Sequence, residues 1–516
     1  MEIFAFAFYF VAMLSIGLFF FFKAKASLNS EKEYFLGNRS MGPWVTAMSA
    51  QASDMSGWLL MGFPGSILAF GMGKVWIGVG LALGTAANWI LVAKRLRRFS
   101  LASGDAITLP QYLTNRFASK SPVLKIVCAI IFLISFTVYV SSAFVAGKNV
   151  MCAVIPWFAG KEMLAMGIFA LLILIYTFLG GFKAVCWTDF FQGILMLIAL
   201  LTVPIVMATG NFDSAFSGAF ADGITTFGTN PFAADWRDIV TGLSWGFGYF
   251  GMPHIIVRFM SIKKPSMVKK SATVAIIWVV LTLGAAIAIA ILARTYVFAD
   301  GSAVAQILLP SGAQQNIFIT IVQRIFPGFI AGLLLAAIVA AAMSTADSQL
   351  LVASSSFTSD LYKPLIRKDK ATDKEVLWVG RLVVLAVSVV AFFIAADGIK
   401  DANSWSNSIM AMVENAWGLF GASFGPVVIL SLFWRRFNYV GACTGIIVGA
   451  VVDIAWLLLF TNTIMPAIVT ATGIYEILPG FVVGGISAVV ATLLTKAPSS
   501  EVEEIFATAT AKEIDD

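Results

Sequence analysis

Residues 46–65 read T-A-M-S-A-Q-A-S-D-M-S-G-W-L-L-M-G-F-P-G, and residues 244–254 read S-W-G-F-G-Y-F-G-M-P-H. Each stretch belongs to an apolar block long enough to cross a bilayer. The first places a carboxylate, Asp54, at membrane depth, where a charge usually lines a cavity or meets an ion. The second holds three glycines and a proline, which weaken a continuous helix. We therefore predict two membrane helices that are broken near their middles.

The rest of the chain has the composition of an integral membrane protein. Of its 516 residues, 59% are hydrophobic and 12% are charged, whereas about 25% are charged in a soluble domain. Backbone groups in lipid must be satisfied inside the segment, so the apolar blocks are expected to be helices. We predict an all-α integral membrane fold with about thirteen transmembrane helices, near residues 3–22, 41–70, 74–93, 126–147, 163–182, 184–208, 237–258, 272–296, 328–358, 376–396, 406–434, 439–461 and 476–496.

Charged residues indicate how these helices are oriented. Lys and Arg concentrate in alternate loops, at residues 23–39, 94–98, 262–270 and 365–374. The positive-inside rule then places the N-terminus outside and the C-terminus in the cytoplasm. We expect one transmembrane domain over residues 1–498 and a short cytoplasmic tail over 499–516. The net charge of +6 reflects this anchoring and does not indicate a nucleic-acid partner.

The two broken helices occupy matching positions in two blocks of five helices, about residues 41–208 and 237–434. An odd number of spans separates the starts of the blocks, so the blocks insert with opposite orientation. Interrupted helices at corresponding positions of inverted halves predict a substrate and ion site near the membrane midplane. Two simpler interpretations remain open: Asp54 caps a broken helix end, and the glycines serve close helix packing.

Helix 9 adds a third element, L-L-A-A-I-V-A-A-A-M-S-T-A-D-S-Q-L-L-V-A-S-S-S at residues 334–356. Its small residues let a neighbouring backbone come close, and Ser344 and Thr345 place two hydroxyls at membrane depth. Oxygen ligands of this kind suit a hard cation. Alternatively, the hydroxyls bond carbonyls of their own helix.

Several of these stretches resemble the bacterial sodium/proline symporters of the sodium/solute symporter family. They are SDMSGWLLMG at 53–62, WGFGYFGMPHIIVRFM at 245–260, AAAMSTADSQLLV at 340–352 and YTFLGGFKAVCWTD at 176–189. The resemblance implies a leucine-transporter-like core of five helices plus five inverted helices, with one helix before it and two after. It implies Na⁺-coupled import of L-proline by a multi-pass protein of the bacterial cytoplasmic membrane.

The resemblance also implies roles for individual residues. It assigns Na⁺ ligands to the carbonyls of Ala52, Met55 and Ala341 and to the hydroxyls of Ser344 and Thr345. It assigns a proline pocket to Ser56, Gly57, Tyr139, Trp245, Tyr249 and Pro253. Asp54 matches a carboxylate needed for sodium coupling, and Arg39 an arginine near the inner gate. Aromatic faces would suit the ring and ammonium of proline, and N–H groups at a helix break would suit its carboxylate.

A possible second Na⁺ site involves Asp189, Asp347 and Ser348, since some relatives pair a carboxylate on helix 6 with hydroxyls on helix 9. The alternative is structural: Thr188 and Asp189 form an N-cap pair at the start of helix 6, and Asp347 lies at the watery end of helix 9.

Other functions remain as rivals. The nearest is Na⁺-coupled transport of another small zwitterion or carboxylate, and a more distant one is a transporter-like sensor. An enzyme is not expected, because the sequence shows no nucleophile–base pair or metal cluster. The expected partners are L-proline, Na⁺ and the lipid bilayer, with no nucleic acid and no obligate protein partner.

Overall fold

The computed structural model describes residues 1–24, 30–209, 230–299, 313–368, 370–401, 404–460 and 473–511. These residues form helices and no strands, with one isolated β-bridge between Met41 and Ile262. The main helices are α1 (Glu2–Ala24), α2a (Pro43–Asp54), α2b (Trp58–Phe70), α3 (Met72–Ala102), α4 (Val123–Val154), α5 (Glu162–Leu179), α6 (Phe182–Ala208), α7a (Trp236–Ser244), α7b (Pro253–Ser261), α8 (Val268–Ala299), α9 (Gly328–Ser355), α10 (Asp373–Lys400), α11 (Ile409–Phe433), α12 (Tyr439–Phe460), α13 (Ile477–Leu494) and α14 (Ser500–Thr510).

Each predicted span overlaps one of these elements. Ten helices of the described chain are long and apolar enough to cross a membrane. The other three predicted spans correspond to the two interrupted helices and to the shorter α5. Some ends differ from the prediction: α4 extends several residues beyond both ends of the expected 126–147. The number of crossings and the side of each terminus stay predictions.

Both predicted helix breaks are present. After α2a the backbone leaves helical geometry at Met55, with φ −84° and ψ 79°, and it resumes as a π-helical turn at Trp58. After α7a the chain forms a 3₁₀ turn over Trp245–Phe250. Helix α7b then begins at Pro253, whose fixed φ and missing N–H suit a first helical position. The breaks release backbone groups from the helical ladder in the middle of the fold.

Helix α9 lies at the centre, where it packs against α4, α6, α1 and α10. Helix α2a packs against α6 and α8, while α3 and α11 flank the second break. Helices α12 and α13 pack on each other and on α11. Glycines allow the closest approach: a Cβ on Gly84 of α3 would lie 2.5 Å from the Cα of Gly246. Close packing and helix breakage therefore both explain the glycines of the second break.

The predicted tail is partly ordered against the membrane domain. Helix α14 packs on the end of α3, with Phe506 edge-on to Phe99 at 5.3 Å between ring centroids. Arg116 donates from its guanidinium to the carbonyl of Val502 at 3.3 Å. Residues 512–516 of the tail lie outside the described residues, as do 25–29 of the first basic loop.

Candidate functional site

Asp54 is the last residue of α2a, and its side chain is fully buried. Its Oδ2 accepts a hydrogen bond of 2.6 Å from the hydroxyl of Tyr249, which lies in the second break. Its Oδ1 has no hydrogen-bond partner among the described residues. The only bond shown for the carboxylate in the described chain therefore comes from a phenol of the opposite half. Within the described residues, the Asp54 carboxylate makes no helix-capping hydrogen bond of the kind that the simpler interpretation requires.

Three of the predicted Na⁺ ligands converge beside Asp54. The Ser344 hydroxyl of α9 donates to the carbonyl of Ala52 at 2.7 Å and to that of Ala341 at 3.2 Å. The adjacent Thr345 hydroxyl is buried and has no hydrogen-bond partner in the described chain. Met55 follows Ala52 at the break. These oxygen donors form the kind of ligand set that hard cations prefer, and a buried hydroxyl without a partner is rare unless a ligand or water engages it.

The predicted aromatic residues are buried, and two of them, Tyr139 and Tyr249, contact Asp54. The Tyr249 ring meets the Trp417 indole edge-on, with 5.0 Å between centroids. The Trp245 ring lies 5.1 Å from that of Tyr475, and its indole N–H has no partner among the described residues. Tyr139 of α4 donates from its hydroxyl to the carbonyl of Asp54 at 3.4 Å. The group offers aromatic faces together with the Trp245 indole N–H, which is unpartnered within the described part of the chain.

The remaining predicted pocket residues lie at the breaks themselves. Ser56 and Gly57 form the first break, where a Cβ on Gly57 would lie 2.7 Å from the Cβ of Ala146. Pro253 begins α7b, and the adjacent His254 ring nitrogen Nε2 lies 3.1 Å from the carbonyl oxygen of Ser53. The helices on either side of the two breaks are thus in direct contact.

Arg39 lies at one end of α2a and joins three elements. Its guanidinium donates to Asp105 at 2.7 Å, to the Ala106 carbonyl at 2.7 Å and to the Met260 carbonyl at the end of α7b at 2.5 Å. Lys32 also pairs with Asp105. Arg39 therefore links the end of α7b, in the second block of helices, to the segment that precedes α2a in the first block.

In the group formed by Lys32, Arg39 and Asp105, opposite charges favour the ionised forms of their neighbours. Partial burial works against ionisation of Asp105, yet the hydrogen bonds and charges of Lys32 and Arg39 hold its pKa below the usual value. Burial lowers the pKa of the Arg39 guanidinium, and the charge of Asp105 opposes that shift. The ion pair is therefore complete at neutral pH and weakens only as pH falls through the depressed pKa of Asp105.

The residues of the possible second Na⁺ site also come together, around an arginine that was not assigned from sequence. Arg258 of α7b donates to Asp189 Oδ2 at 2.9 Å and to the Ser348 hydroxyl at 2.5 Å. The Ser348 hydroxyl lies 3.3 Å from Asp347 Oδ1. Asp189 Oδ1 and Asp347 Oδ2 have no partner within the described residues.

The structural alternative for these residues is wrong. Helix α6 begins at Phe182, so Asp189 lies about two turns inside the helix and cannot be part of an N-cap. Thr188 instead bonds carbonyls of its own helix, those of Ala184 and Val185. Asp347 is fully buried and not at a watery end. The cause of the error is the helix start, which was placed at residue 184 next to a Thr-Asp pair that looks like a cap.

Two further residues support the second break. Asn88 of α3 donates to the Tyr249 carbonyl at 2.9 Å, and the Trp417 indole of α11 donates to the Trp245 carbonyl at 2.8 Å. Both satisfy carbonyls released by the break. A signal existed for Asn88, an amide in the middle of an apolar block, but nothing in the sequence pairs it with Tyr249.

Comparison with known proteins identifies the family to which the chain is similar. The model of the family described as "Sodium:solute symporter family" matches residues 34–449. The chain is 40% identical to the sodium/proline symporter of Escherichia coli (strain K12), over 98% of this chain and 95% of that protein. It is 42% identical to the sodium/proline symporter of Staphylococcus aureus (strain NCTC 8325 / PS 47), over 96% of this chain and 93% of that protein.

Solved structures show a similar fold. A Na⁺-coupled sialic acid symporter in a substrate-bound outward-open state superimposes with a TM-score of 0.73 at 21% identity, over 96% of this chain and 98% of that one. The transporter MhsT in complex with L-phenylalanine superimposes with a TM-score of 0.50 at 16% identity, over 87% and 97%. Identities this low speak for the fold alone.

Proposed function

The chain belongs to the sodium:solute symporter family, and we propose on this basis that it imports L-proline together with Na⁺ across the bacterial cytoplasmic membrane. Its relatives at about 40% identity over nearly the whole length are sodium/proline symporters. We propose the topology predicted above: thirteen crossings, an external N-terminus, a transmembrane domain over 1–498 and a cytoplasmic tail over 499–516.

One contact carries the proposal for the site. The hydroxyl of Tyr249, a pocket residue, donates to the carboxylate of Asp54 at 2.6 Å. Asp54 follows Ala52 by two residues, and the Ala52 carbonyl accepts from Ser344. A change at either the pocket or the ion ligands is therefore transmitted through one hydrogen bond and two residues of α2a. Such a connection supports reciprocal coupling, in which bound Na⁺ raises proline affinity and bound proline raises Na⁺ affinity by the same factor.

Na⁺ binding is assigned to the carbonyls of Ala52, Met55 and Ala341 and the hydroxyls of Ser344 and Thr345. Asp54 supplies negative charge next to this group, which favours a cation in a low-dielectric interior. The Thr345 hydroxyl has no hydrogen-bond partner among the described residues, and the Ser344 hydroxyl already contacts the assigned carbonyls of Ala52 and Ala341. Both observations support the assignment.

Proline binding is assigned to Ser56, Gly57, Tyr139, Trp245, Tyr249 and Pro253. The rings of Trp245 and Tyr249 can contact the apolar pyrrolidine ring, and their faces attract its secondary ammonium. The indole N–H of Trp245, which none of the described residues engages, and the backbone N–H groups of the breaks suit the carboxylate. Arg39 acts at the inner gate, where it ties α7b to the end of α3.

Uptake of labelled proline into proteoliposomes tests this function. We expect uptake with an inward Na⁺ gradient and almost none with K⁺ in its place. A large saturating excess of unlabelled proline should remove nearly all of the labelled uptake, whereas leucine, glutamate and a sugar should leave it. Competition by another small zwitterion or carboxylate instead of proline would favour the rival substrate. Na⁺ and proline binding without any flux would favour the sensor.

A further inference from the structure

The Arg258 guanidinium is completely enclosed, with 1% of its side chain exposed. Besides Asp189 and Ser348, it donates to the Ser49 hydroxyl of α2a at 2.8 Å and to the His254 carbonyl at 2.5 Å. Four oxygen atoms from four helices, α6, α9, α2a and α7b, thus surround one fixed positive charge.

These oxygens resemble a ligand set for a hard cation. One carboxylate, two hydroxyls and one backbone carbonyl are the donor types that alkali and alkaline-earth ions take from proteins. The guanidinium occupies the space between them, so a free ion cannot sit there while Arg258 stays in place. The positive charge that balances Asp189 is supplied by the chain itself.

The cluster is close to the assigned Na⁺ ligands along two helices. Ser348 follows Ser344 by four residues on α9, and Ser49 precedes Ala52 by three on α2a. Residues at these spacings share one face of a helix. Two neighbouring positions for a cation therefore lie between α2a and α9, one at Ser344 and one at Arg258.

We propose that Arg258 is a covalently attached substitute for a second Na⁺, so that the transporter binds one Na⁺ per chain where the same fold could hold two. The proposal rests on the assigned Na⁺ coupling. Unlike an ion, the guanidinium remains bound through the transport cycle and contributes nothing to the driving force. It also lies on α7b while Asp189 lies on α6, so it ties the two halves together by a contact that does not depend on external Na⁺.

Removal of the guanidinium should open the second position. In Arg258→Gln the shorter neutral side chain leaves Asp189 without its countercharge, and a buried carboxylate without one is strongly unfavourable. Asp347, whose Oδ2 is without a partner in the described chain, adds a second acidic group. Na⁺ is the available replacement.

Equilibrium binding of ²²Na⁺ to the purified full-length protein in lipid nanodiscs tests the proposal. We expect one saturable Na⁺ per wild-type chain, two for Arg258→Gln, and one again for Arg258→Lys and for the double variant Arg258→Gln/Asp189→Asn. Two ions on the wild type, or one on folded Arg258→Gln, would overturn the proposal while leaving Na⁺ coupling intact. No saturable Na⁺ on the wild type would instead refute the proposed function.

Asp189→Asn gives a test that does not require Arg258→Gln to fold. If Arg258 is the cation at Asp189, this variant should still bind one Na⁺ with an affinity within about twofold of the wild type. A tenfold or greater loss of Na⁺ affinity would show that Asp189 serves a Na⁺ already present in the wild type, and the proposal would be wrong.

Discussion

Replacement of Asp54 by Asn tests the most specific assignment in the site. The change keeps the shape of the side chain and one oxygen that can accept the 2.6 Å bond from Tyr249. It removes the negative charge, which is fully buried and has one oxygen without a partner among the described residues. A purely structural role at the end of α2a would therefore survive the change with a modest loss, on the order of 1 kcal/mol.

An electrostatic role predicts a much larger loss. At an effective dielectric constant of about 20, a unit charge about 4–8 Å from a bound cation contributes about 2–4 kcal/mol. Loss of that energy weakens Na⁺ binding by roughly thirtyfold to a thousandfold. Asp54→Glu retains the charge with one extra methylene, so it should bind Na⁺ more tightly than Asp54→Asn.

The assay is the Na⁺ concentration that half-activates proline uptake in proteoliposomes, with equal amounts of reconstituted protein. Asp453→Asn is a matched control, because Asp453 is also a buried carboxylate but lies on α12. We expect the control to keep wild-type Na⁺ activation. If Asp54→Asn shifts Na⁺ activation less than about threefold, the charge of Asp54 has no part in ion binding.

Three further substitutions address the remaining assignments. Thr345→Ala should raise the Na⁺ concentration for half-activation at least tenfold, whereas Thr345→Ser should not, because only serine keeps the hydroxyl oxygen. Equal Na⁺ activation of the two variants would remove Thr345 from the ligands. Trp245→Ala should weaken proline affinity about tenfold, as expected for the loss of about 1–2 kcal/mol of aromatic contact. Na⁺ binding, measured without proline, should change far less. Unaltered proline affinity would show that the pocket lies elsewhere. Asp105→Asn should weaken the contact with Arg39 and so speed the reaction of a thiol reagent with a cysteine introduced on the cytoplasmic side of the site. A labelling rate equal to that of the wild type would argue against a gate at Arg39.

The helix breaks could be predicted from sequence because their causes are local. Glycine and proline disfavour a continuous helix wherever they occur, and both act within a few residues of their position. The breaks at Met55 and before Pro253 accordingly appear where the composition indicates them. The hydroxyls of Ser344 and Thr345 could also be singled out, because they are the first side-chain oxygens after the apolar run that begins α9.

The contacts between the halves could not be predicted in the same way. Tyr249 and Asp54 are 195 residues apart, and no periodicity fixes which side chain of one break meets which of the other. Arg258 is part of a stretch that resembles relatives, yet its partners Asp189 and Ser348 depend on how three helices pack. Their tertiary arrangement decides the chemistry of the cluster.

The tail carries a sequence signal that the prediction of a short cytoplasmic tail did not use. Val502, Phe506 and Ala509 recur at helical spacing, and Val502 and Ala509 are buried in α14, as expected for an amphipathic helix that covers an apolar surface.

The central claim is that proline and Na⁺ movements are coupled in one cycle, and reversal of the driving force tests it most directly. Proteoliposomes with equal Na⁺ on both sides and no membrane potential are given an inward proline gradient, and ²²Na⁺ influx is followed. Coupling predicts that the proline gradient drives net Na⁺ accumulation, which Asp54→Asn abolishes. Proline entry without any Na⁺ accumulation would contradict the account.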